Sequence, residues 1–171
     1  MDFAILPELN GCEELQCEQL FEEELLFVTK SGSLDASYYD VMEDGSKIVK
    51  FDALKDQKFI LLKNGHGMRD AINVLFGMYD YEPDIFMETT NNETAFRMAT
   101  ARMGVTIVPE MCINTLKQLN EIDTYKLSEN GLKWKISAVF RKNSYVNLLV
   151  KECISAIREM CGDCSAAMLL L

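Results

Sequence analysis

The sequence predicts an α/β fold, and three observations support that class. Short apolar runs alternate with amphipathic stretches from position 59 onward, an order typical of parallel strands connected by helices. The run Val105–Val108 is bracketed by Gly104 and Pro109, which predicts a short strand that follows one helix and precedes another. Of the 171 residues, 49% are apolar, enough for one ordinary domain or two small lobes with a buried core.

Each predicted element rests on its hydrophobic pattern and on the residues that end it. The predicted strands are 3–6, a buried strand ended by Pro7, and then 24–29, 59–62, 85–88, 105–108 and 134–140. The predicted helices are a turn at 51–54 and the segments 69–78, 93–102 (closed by Gly104), 110–119 and 146–160. Residues 31–50 are polar, rich in glycine and aspartate, and receive no element. The last helix is expected to bury a face made of Leu149, Cys153, Ile154, Ile157 and Met160.

The charge of the chain excludes a broad nucleic-acid surface. The net charge is -10 and the calculated pI is near 4.6, so the polypeptide repels polyphosphate. The acidic segment between the first two strands is predicted to be a solvated connector; it holds Glu13, Glu14, Glu18 and Glu22 to Glu24. The sequence starts without an export signal and has no apolar run of the roughly 20 residues that a membrane span needs. We therefore expect a cytoplasmic protein with no membrane contact.

The residue types that carry metal or covalent chemistry are sparse. The six cysteines are expected to be free thiols in a reducing compartment. Cys161 and Cys164 have C-x-x-C spacing, but there is no second such pair and His66 is the only histidine. A lone pair supplies two of the four ligands that zinc prefers. No acid-base pair or nucleophile stands out, so we predict no catalytic residue, no metal, no cofactor and no enzyme activity.

Two loops follow predicted strands, which is where open α/β sheets bind ligands. The first, 63–70 (KNGHGMRD), has two glycines that let backbone N–H groups converge at a helix start and favour an anion. A plain loop is an equal alternative. The second, 89–93 (TTNNE), offers hydroxyls and amides that either cap the next helix or face a ligand. The sequence alone leaves both alternatives open.

The order of these pieces is similar to a known family. The segments that carry the likeness are 2–6 (DFAIL), 24–28 (ELLFV), the strand, loop and helix at 59–76, and 95–109 (AFRMATARMGVTIVP). Together they resemble the effector-binding domain of LysR-type transcriptional regulators, a type 2 periplasmic-binding-protein fold, from residue 2 to about residue 160. The resemblance implies two α/β lobes joined by two crossing strands, with a small-molecule effector in the cleft. Lobe I would be 1–28 plus 138–171, and lobe II would be 29–137.

Carried over position by position, the resemblance implies an effector site in lobe II and at its hinge. The implied contacts are Thr29, Lys30, Lys63, Asn64, Gly65, His66, Gly67, Met68, Arg69, Thr90 and Asn91. The side chains of Asn64, His66 and Met68 are expected to lie nearest the cleft. Because several of these residues are cationic in an acidic protein, an anionic or carboxylate effector is expected.

Two departures from the family pattern affect these expectations. The family pattern begins earlier, with a winged helix-turn-helix and the first part of lobe I, so we expect a truncated chain with an incomplete first lobe. DNA would then be bound only through the missing N-terminal domain, and the full-length protein is expected to be a homo-oligomer. Arg102-Met103-Gly104 stands where the family commonly has Gly-Leu-Gly, so the helix end is expected to pack differently. The predicted function is effector sensing in a LysR-type regulator, with a solute-binding transport protein as the alternative.

Overall fold

A computed structural model describes four stretches of the chain. They are residues 3–7, 14–116, 121–142 and 148–166, with the side chains of 53 and 162–166 left out. The strands are β1 (Ala4–Pro7), β2 (Leu15–Lys30), β3 (Tyr39–Val41), β4 (Lys47–Val49), β5 (Lys58–Leu62), β6 (Asp84–Thr89), β7 (Thr106–Pro109), β8 (Ile122–Tyr125) and β9 (Leu132–Arg141). The helices are α1 (Gly67–Met78), α2 (Asn92–Thr100), α3 (Glu110–Leu116) and α4 (Leu148–Ala166), with short 3-10 helices at Ala36–Tyr38 and Phe51–Asp56.

The chain divides into two compact units, Met1–Glu23 with Lys133–Leu171, and Glu24–Leu132. The chain passes from one unit to the other within β2 and again within β9. The main sheet has the strand order β1-β9-β2-β7, and β8 also pairs with β2. The predicted lobe boundaries at 28/29 and 137/138 stay a prediction.

Parallel pairing, predicted from the alternation of strands and helices, is present in the larger unit. β5 and β6 are parallel neighbours, with Leu62 opposite Thr89. Val105, just before β7, forms a parallel bridge with Phe59. The other neighbour of β7 is β2, which runs antiparallel to it. The sequence prediction of parallel pairing is therefore confirmed for β5 and β6 but does not extend to the long strand β2.

The prediction that the acidic segment is a connector is wrong, because most of this segment belongs to β2. The strand starts at Leu15 and contains Glu18 and all three glutamates of Glu22 to Glu24. Glutamate has low strand propensity, but pairing with neighbouring strands overrides that preference. Leu20 and Leu25 are buried while several of the carboxylates between and around them are not. Glu13 lies outside the described residues.

Residues 31–50, which received no element, contain a β-hairpin. β3 and β4 pair antiparallel, with Tyr39 opposite Val49. The connecting turn places Gly45 at φ 81°, a conformation that favours glycine. Lys47 lies over the ring of Tyr39, 4.9 Å from its centroid. The hairpin was missed because each strand has only three residues, too few to show an alternating pattern.

Two expectations about the smaller unit are wrong in detail. β1 was predicted to be buried, but Ile5 and Leu6 are exposed, since β1 lies at the end of the main sheet and pairs with β9. α4 buries Val150 and Ile154, whereas Leu149 is 78% exposed. The exposed set also includes Cys153 and Met160. Ile154, which is buried, and Ile157, which is partly buried, were predicted correctly. They follow the i, i+4, i+7 spacing from Val150 and not from Leu149.

The end of α2 differs from the prediction in a way that explains Gly104. The helix ends at Thr100, and Arg102, not Gly104, adopts a left-handed φ of 62°. The N–H of Met103 donates to the carbonyl of Met98 at 3.1 Å, the long-range bond of a Schellman motif. Gly104 has another role: a Cβ there would collide with the backbone carbonyl of Lys58. Glycine at 104 therefore permits the close approach to β5.

The remaining predicted elements are confirmed within a few residues at each end. The turn at 51–54 is a 3-10 helix over Phe51–Asp56, and the predictions for α1, β5, β6, β7 and β9 hold. For α3 and α4, residues 117–119 and 146–147 lie outside the described part of the chain. None of the helices in the described ranges has the length and apolar character that a membrane span requires.

Candidate functional site

The two predicted ligand loops lie side by side at the carboxyl ends of β5 and β6. The strands are parallel and end in register, so the chain leaves both at the same edge of the sheet. The N–H of Lys63 donates to the carbonyl of Thr89 at 2.9 Å. This bond joins the start of the first loop to the start of the second. The structure therefore brings together the loop 63–67 and the residues Thr90 and Asn91.

The first loop presents an open helix N-terminus. Gly65 adopts φ 83°, and the N–H of His66 donates to the carbonyl of Lys63 at 3.2 Å, which closes a tight turn. His66 is the N-cap of α1 but makes no side-chain capping bond. The residues from Lys63 to Gly67 are all exposed. Because no side chain caps α1, its first N–H groups remain available to an anion.

Asn64 is less free than its neighbours in this loop. Its side-chain carbonyl accepts a 3.3 Å hydrogen bond from the amide of Asn73 on α1. Both side chains are on the solvent side of the helix start, where the bond is exposed. The contact orients the Asn64 amide and leaves its own N–H groups pointing away from the bond.

In the second loop, Asn91 caps the next helix and Thr89 holds Asn91. The side-chain oxygen of Asn91 accepts from the N–H of Thr94 at 3.2 Å, and it is the N-cap of α2. The hydroxyl of Thr89 accepts from the N–H of Asn91 at 3.2 Å. The capping alternative is therefore realised for Asn91. Thr90 is exposed at the same edge and has no such local role among the described contacts.

Met68 and Arg69 lie behind the loop and not on its surface. Met68 is 1% exposed and packs in the core. Arg69 is also buried, and its Nη1 donates to the carbonyl of Leu62 at 2.7 Å and to Oε1 of Glu88 at 2.9 Å. Its Nε donates to Asn73 Oδ1 at 2.8 Å. The guanidinium therefore ties the first turn of α1 to the ends of both β5 and β6.

Thr29 and Lys30 lie at the other end of the sheet. β2 runs antiparallel to β7, with Val28 opposite Thr106, so Thr29 is level with Val105 and hence with Phe59. From Phe59 to Lys63 is four residues, or about 13 Å at 3.3 Å per residue. Thr29 is buried, and Lys30 faces Glu121, 3.6 Å away. The structure does not bring this pair to the loop edge.

The register of β2 and β7 points to residues that the sequence reasoning missed. Leu25 is opposite Pro109, so the start of α3 at Glu110 reaches the same edge as the two loops. In α2, the side-chain oxygen of Asn92 is buried and has no hydrogen-bond partner among the described residues. A ligand or water donor would satisfy it. The signal was the second asparagine of TTNNE, which a capping explanation leaves unused.

Two tyrosines of the core have raised pKa values. Burial raises the pKa of Tyr81 to about 12, and the charge of Asp84 adds to this. Burial, followed by Asp123 and Tyr39, raises the pKa of Tyr125 to about 12. Both rings belong to an aromatic cluster around Phe59 and Phe27, where burial favours the neutral phenol.

The described residues contain no set of side chains arranged to bind a metal ion. Within the ranges that the structure covers, no three His, Cys, Asp or Glu side chains converge in a way that could hold an ion. Cys17 and Cys153 are free thiols. Cys12 and the side chain of Cys164 lie outside the described part of the chain. The geometry of the C-x-x-C pair, which includes Cys164, is therefore also outside it.

Comparison with known proteins identifies the family of this chain. The family model described as LysR substrate binding domain matches residues 1–162. The chain therefore belongs to the LysR substrate-binding domain family, and its mixed α/β fold is the periplasmic-binding-protein-like fold of such domains. This match supports an effector-sensing domain of a LysR-type regulator over the solute-binding alternative that the sequence left open.

Individual relatives agree with the family. The uncharacterized HTH-type transcriptional regulator YybE from Bacillus subtilis (strain 168) is 24% identical over 135 residues, which is 78% of this chain and 40% of that protein. This chain thus spans less than half the length of that relative. The regulatory domain of Synechocystis PCC6803 CcmR in complex with 2-PG has a TM-score of 0.76 at 16% identity, covering 94% of this chain and 73% of that one. The effector-binding domain of QuiR in complex with shikimate has a TM-score of 0.71 at 18% identity, covering 92% and 69%.

Proposed function

We propose that this chain binds a small anionic effector at the edge formed by loop 63–67 and Thr90. The observation that carries the proposal is the contrast between the two helix starts. The side chain of Asn91 caps α2, whereas α1 begins at His66 without a side-chain cap. An uncapped N-terminus has N–H donors and a partial positive charge, and both favour an anion.

Lys63 strengthens the anion preference at this edge. Its side chain is exposed, and no acidic side chain in the described part of the chain pairs with it. Arg69, the other cation of the loop, is already neutralised by Glu88 at 2.9 Å. We therefore assign the charge contact to Lys63 and a positioning role to Arg69. Shikimate, the ligand named for QuiR, is a carboxylic acid, which agrees with this class of effector.

In the whole protein, we propose that effector binding controls transcription. The effector shifts the population of conformations in a homo-oligomer, whose DNA contacts are made by a helix-turn-helix domain outside this chain. This chain itself, with a net charge of -10, does not contact DNA, and it performs no catalysis. The proposed location is the cytoplasm, where the regulated DNA is found.

Calorimetry with matched variants tests the effector site. A panel of small carboxylates is screened by thermal shift on the 171-residue chain, and the best binder is titrated beside its neutral amide. We expect the acid to bind and the amide to bind at least about tenfold more weakly, which is 1.4 kcal/mol. The substitution Lys63→Gln should weaken binding of the acid by a similar factor.

Lys30 provides the control for this experiment. The resemblance includes Lys30 in the site, but it lies at the other end of the sheet and faces Glu121. Lys30→Gln should therefore change affinity by less than about twofold. Equal losses for Lys30→Gln and Lys63→Gln, or tighter binding of the amide than of the acid, would contradict the proposed site.

A further inference from the structure

We propose that the larger unit has a second ligand site, specific for small organic cations with an apolar body. A pocket of about 400 Å³ lies between the β3–β4 hairpin, the 3-10 helix at Phe51–Asp56 and the end of α1. This volume is within the range of small-molecule sites. Its lining includes Met42, Ile48, Phe51, Asp52, Tyr79 and Glu129. The loop edge described above does not include these residues.

The floor of the pocket is aromatic and fixed. Phe51 is buried, and its ring stacks on Tyr79 with centroids 4.7 Å apart. Phe51 is also held by Phe76 at 5.9 Å and by Tyr81 at 5.5 Å. Tyr79 itself is about half exposed, so aromatic surface remains open to a ligand. A preformed apolar floor binds a hydrocarbon body without a large ordering cost.

The hairpin residues that line the pocket are held by backbone hydrogen bonds. The N–H of Val49 donates to the carbonyl of Lys126 at 3.1 Å, and the N–H of Lys126 donates to the carbonyl of Lys47 at 2.8 Å. The N–H of Lys50 donates to the carbonyl of Tyr38 at 2.8 Å. The two bonds with Lys126 dock the hairpin on the segment after β8, and the Lys50 bond closes the base of the hairpin.

The charge of the pocket favours a cation. Asp40 and Lys50 neutralise each other, with 2.7 Å between Oδ1 and Nζ. Asp52 and Glu129 also line the pocket, and neither carboxylate has an ion-pair partner in the described part of the chain. Two uncompensated carboxylates beside an aromatic floor attract an ammonium group and repel acids.

Two further features agree with a cationic ligand. Tyr79 is the C-cap of α1, so the negative end of the helix dipole lies at this pocket. The same unit already uses the contact that we propose: the Nζ of Lys47 lies 4.9 Å from the ring centroid of Tyr39 and 5.6 Å from that of Tyr125. An exogenous amine over Tyr79 would repeat this cation–π arrangement.

An NMR titration with three isosteric probes tests the site. The 171-residue chain is titrated with phenethylamine, 2-phenylethanol and 3-phenylpropanoate, which carry positive, zero and negative charge on similar bodies. We expect phenethylamine to bind saturably and to shift the amides of Phe51, Asp52 and Glu129. The alcohol should bind at least about fivefold more weakly, and the acid should not bind here. Added salt near 1 M should weaken binding of the amine more than binding of the alcohol.

Matched variants locate the charge. The double variant Asp52→Asn, Glu129→Gln keeps the shape of the pocket. It should weaken phenethylamine binding by about tenfold and leave binding of the alcohol unchanged. Asp56→Asn, on the same 3-10 helix but outside the lining, should leave the amine affinity unchanged. Lys63→Gln should also leave it unchanged, which separates this site from the proposed effector site.

The proposal is overturned by any of three results. Equal affinity for the amine and the alcohol would show an apolar pocket without charge selectivity. Shifts confined to amides outside the lining would place the ligand elsewhere. Equal loss of affinity in Asp56→Asn and in the double variant would show a general effect of protein charge.

Discussion

Replacing Arg69 with methionine tests whether this residue positions the two loops or contacts the effector. Methionine keeps an unbranched side chain of similar length and removes the charge and all donors. In the structure the Arg69 side chain is 4% exposed, and its guanidinium makes three hydrogen bonds, to Leu62, Glu88 and Asn73. The substitution should therefore lower the free energy of unfolding, and it should loosen the junction between β5 and β6.

The expected loss is about 2 kcal/mol. Hydrogen bonds that involve a charged group are each worth roughly 1.5–3 kcal/mol net, and all three bonds of Arg69 are of this kind. Part of this is offset because burying a guanidinium is itself costly. Glu88 is 39% exposed, so water solvates the carboxylate that is left behind. For a chain of this length, a loss of 2 kcal/mol lowers Tm by about 4–8 °C.

Urea unfolding measures the stability change, and amide exchange measures the loosening. Lys63 donates to Thr89 at 2.9 Å, and this bond closes the loop edge beside Arg69. Its amide should exchange about tenfold faster in Arg69→Met. Arg97→Met is the control: Arg97 pairs with Glu93 at 2.7 Å, but both side chains are 52% exposed. Such a pair contributes about 0.3–0.5 kcal/mol.

A double-mutant cycle decides whether the Glu88 contact carries the effect. Arg69→Met, Glu88→Gln and the double variant should give a coupling of about 1 kcal/mol, because the pair is buried on one side only. Equal losses for Arg69→Met and Arg97→Met would refute the reasoning. If the Arg69→Met protein has normal stability and normal exchange of the Lys63 amide but no longer binds acids, Arg69 contacts the ligand directly.

Three other predictions follow from backbone geometry and burial. Gly104→Ala should destabilise the fold by at least about 1–3 kcal/mol, because the new Cβ meets the Lys58 carbonyl, whereas Gly77→Ala has open space inside α1 and should stabilise by about 0.5–1 kcal/mol; urea unfolding of both variants checks the contrast. Arg102→Gly should raise stability by up to about 1 kcal/mol in the same assay, because φ is 62° there; a loss would show that the arginine side chain contributes more than the strain. The pKa of Tyr125 is raised by burial to about 12, so its contribution is complete below pH 10 and is lost as the pH rises through 12; Tyr125→Phe should flatten the fall of unfolding free energy in this window.

The sequence predicted those parts of the fold whose cues are local. β5, α1, β6 and α2 each have a clear period and a clear stop, and their alternation correctly predicted parallel pairing. β2 was cut short because its first half is rich in glutamate, and strand identity there depends on pairing with distant residues. The β3–β4 hairpin was missed for the same reason: its strands are short, and long-range contacts stabilise them.

The sequence predicted that the two candidate loops share one edge of the sheet, but not which of their side chains are exposed. Strand ends and glycines placed 63–67 and Thr90 at one edge, which the structure reproduces. The sequence could not distinguish the exposed cation Lys63 from the buried cation Arg69, because burial depends on which face of α1 meets the sheet. The resemblance also implied Lys30 as a contact on the hinge side, and the register of β2 places this residue about four residues away from the loop edge.

α1 connects the two proposed sites, and its length limits how they can influence each other. Twelve residues of helix span about 18 Å, which is more than the Debye length of about 8 Å at physiological salt. A bound acid at the first turn and a bound amine near Tyr79 therefore attract each other weakly through space. Arg69 fixes the first turn, and Phe76 fixes the last turn in the aromatic core. A coupling above about 1 kcal/mol between the two ligands would thus require α1 to move as a unit, and by linkage each ligand would then change the affinity of the other by the same factor.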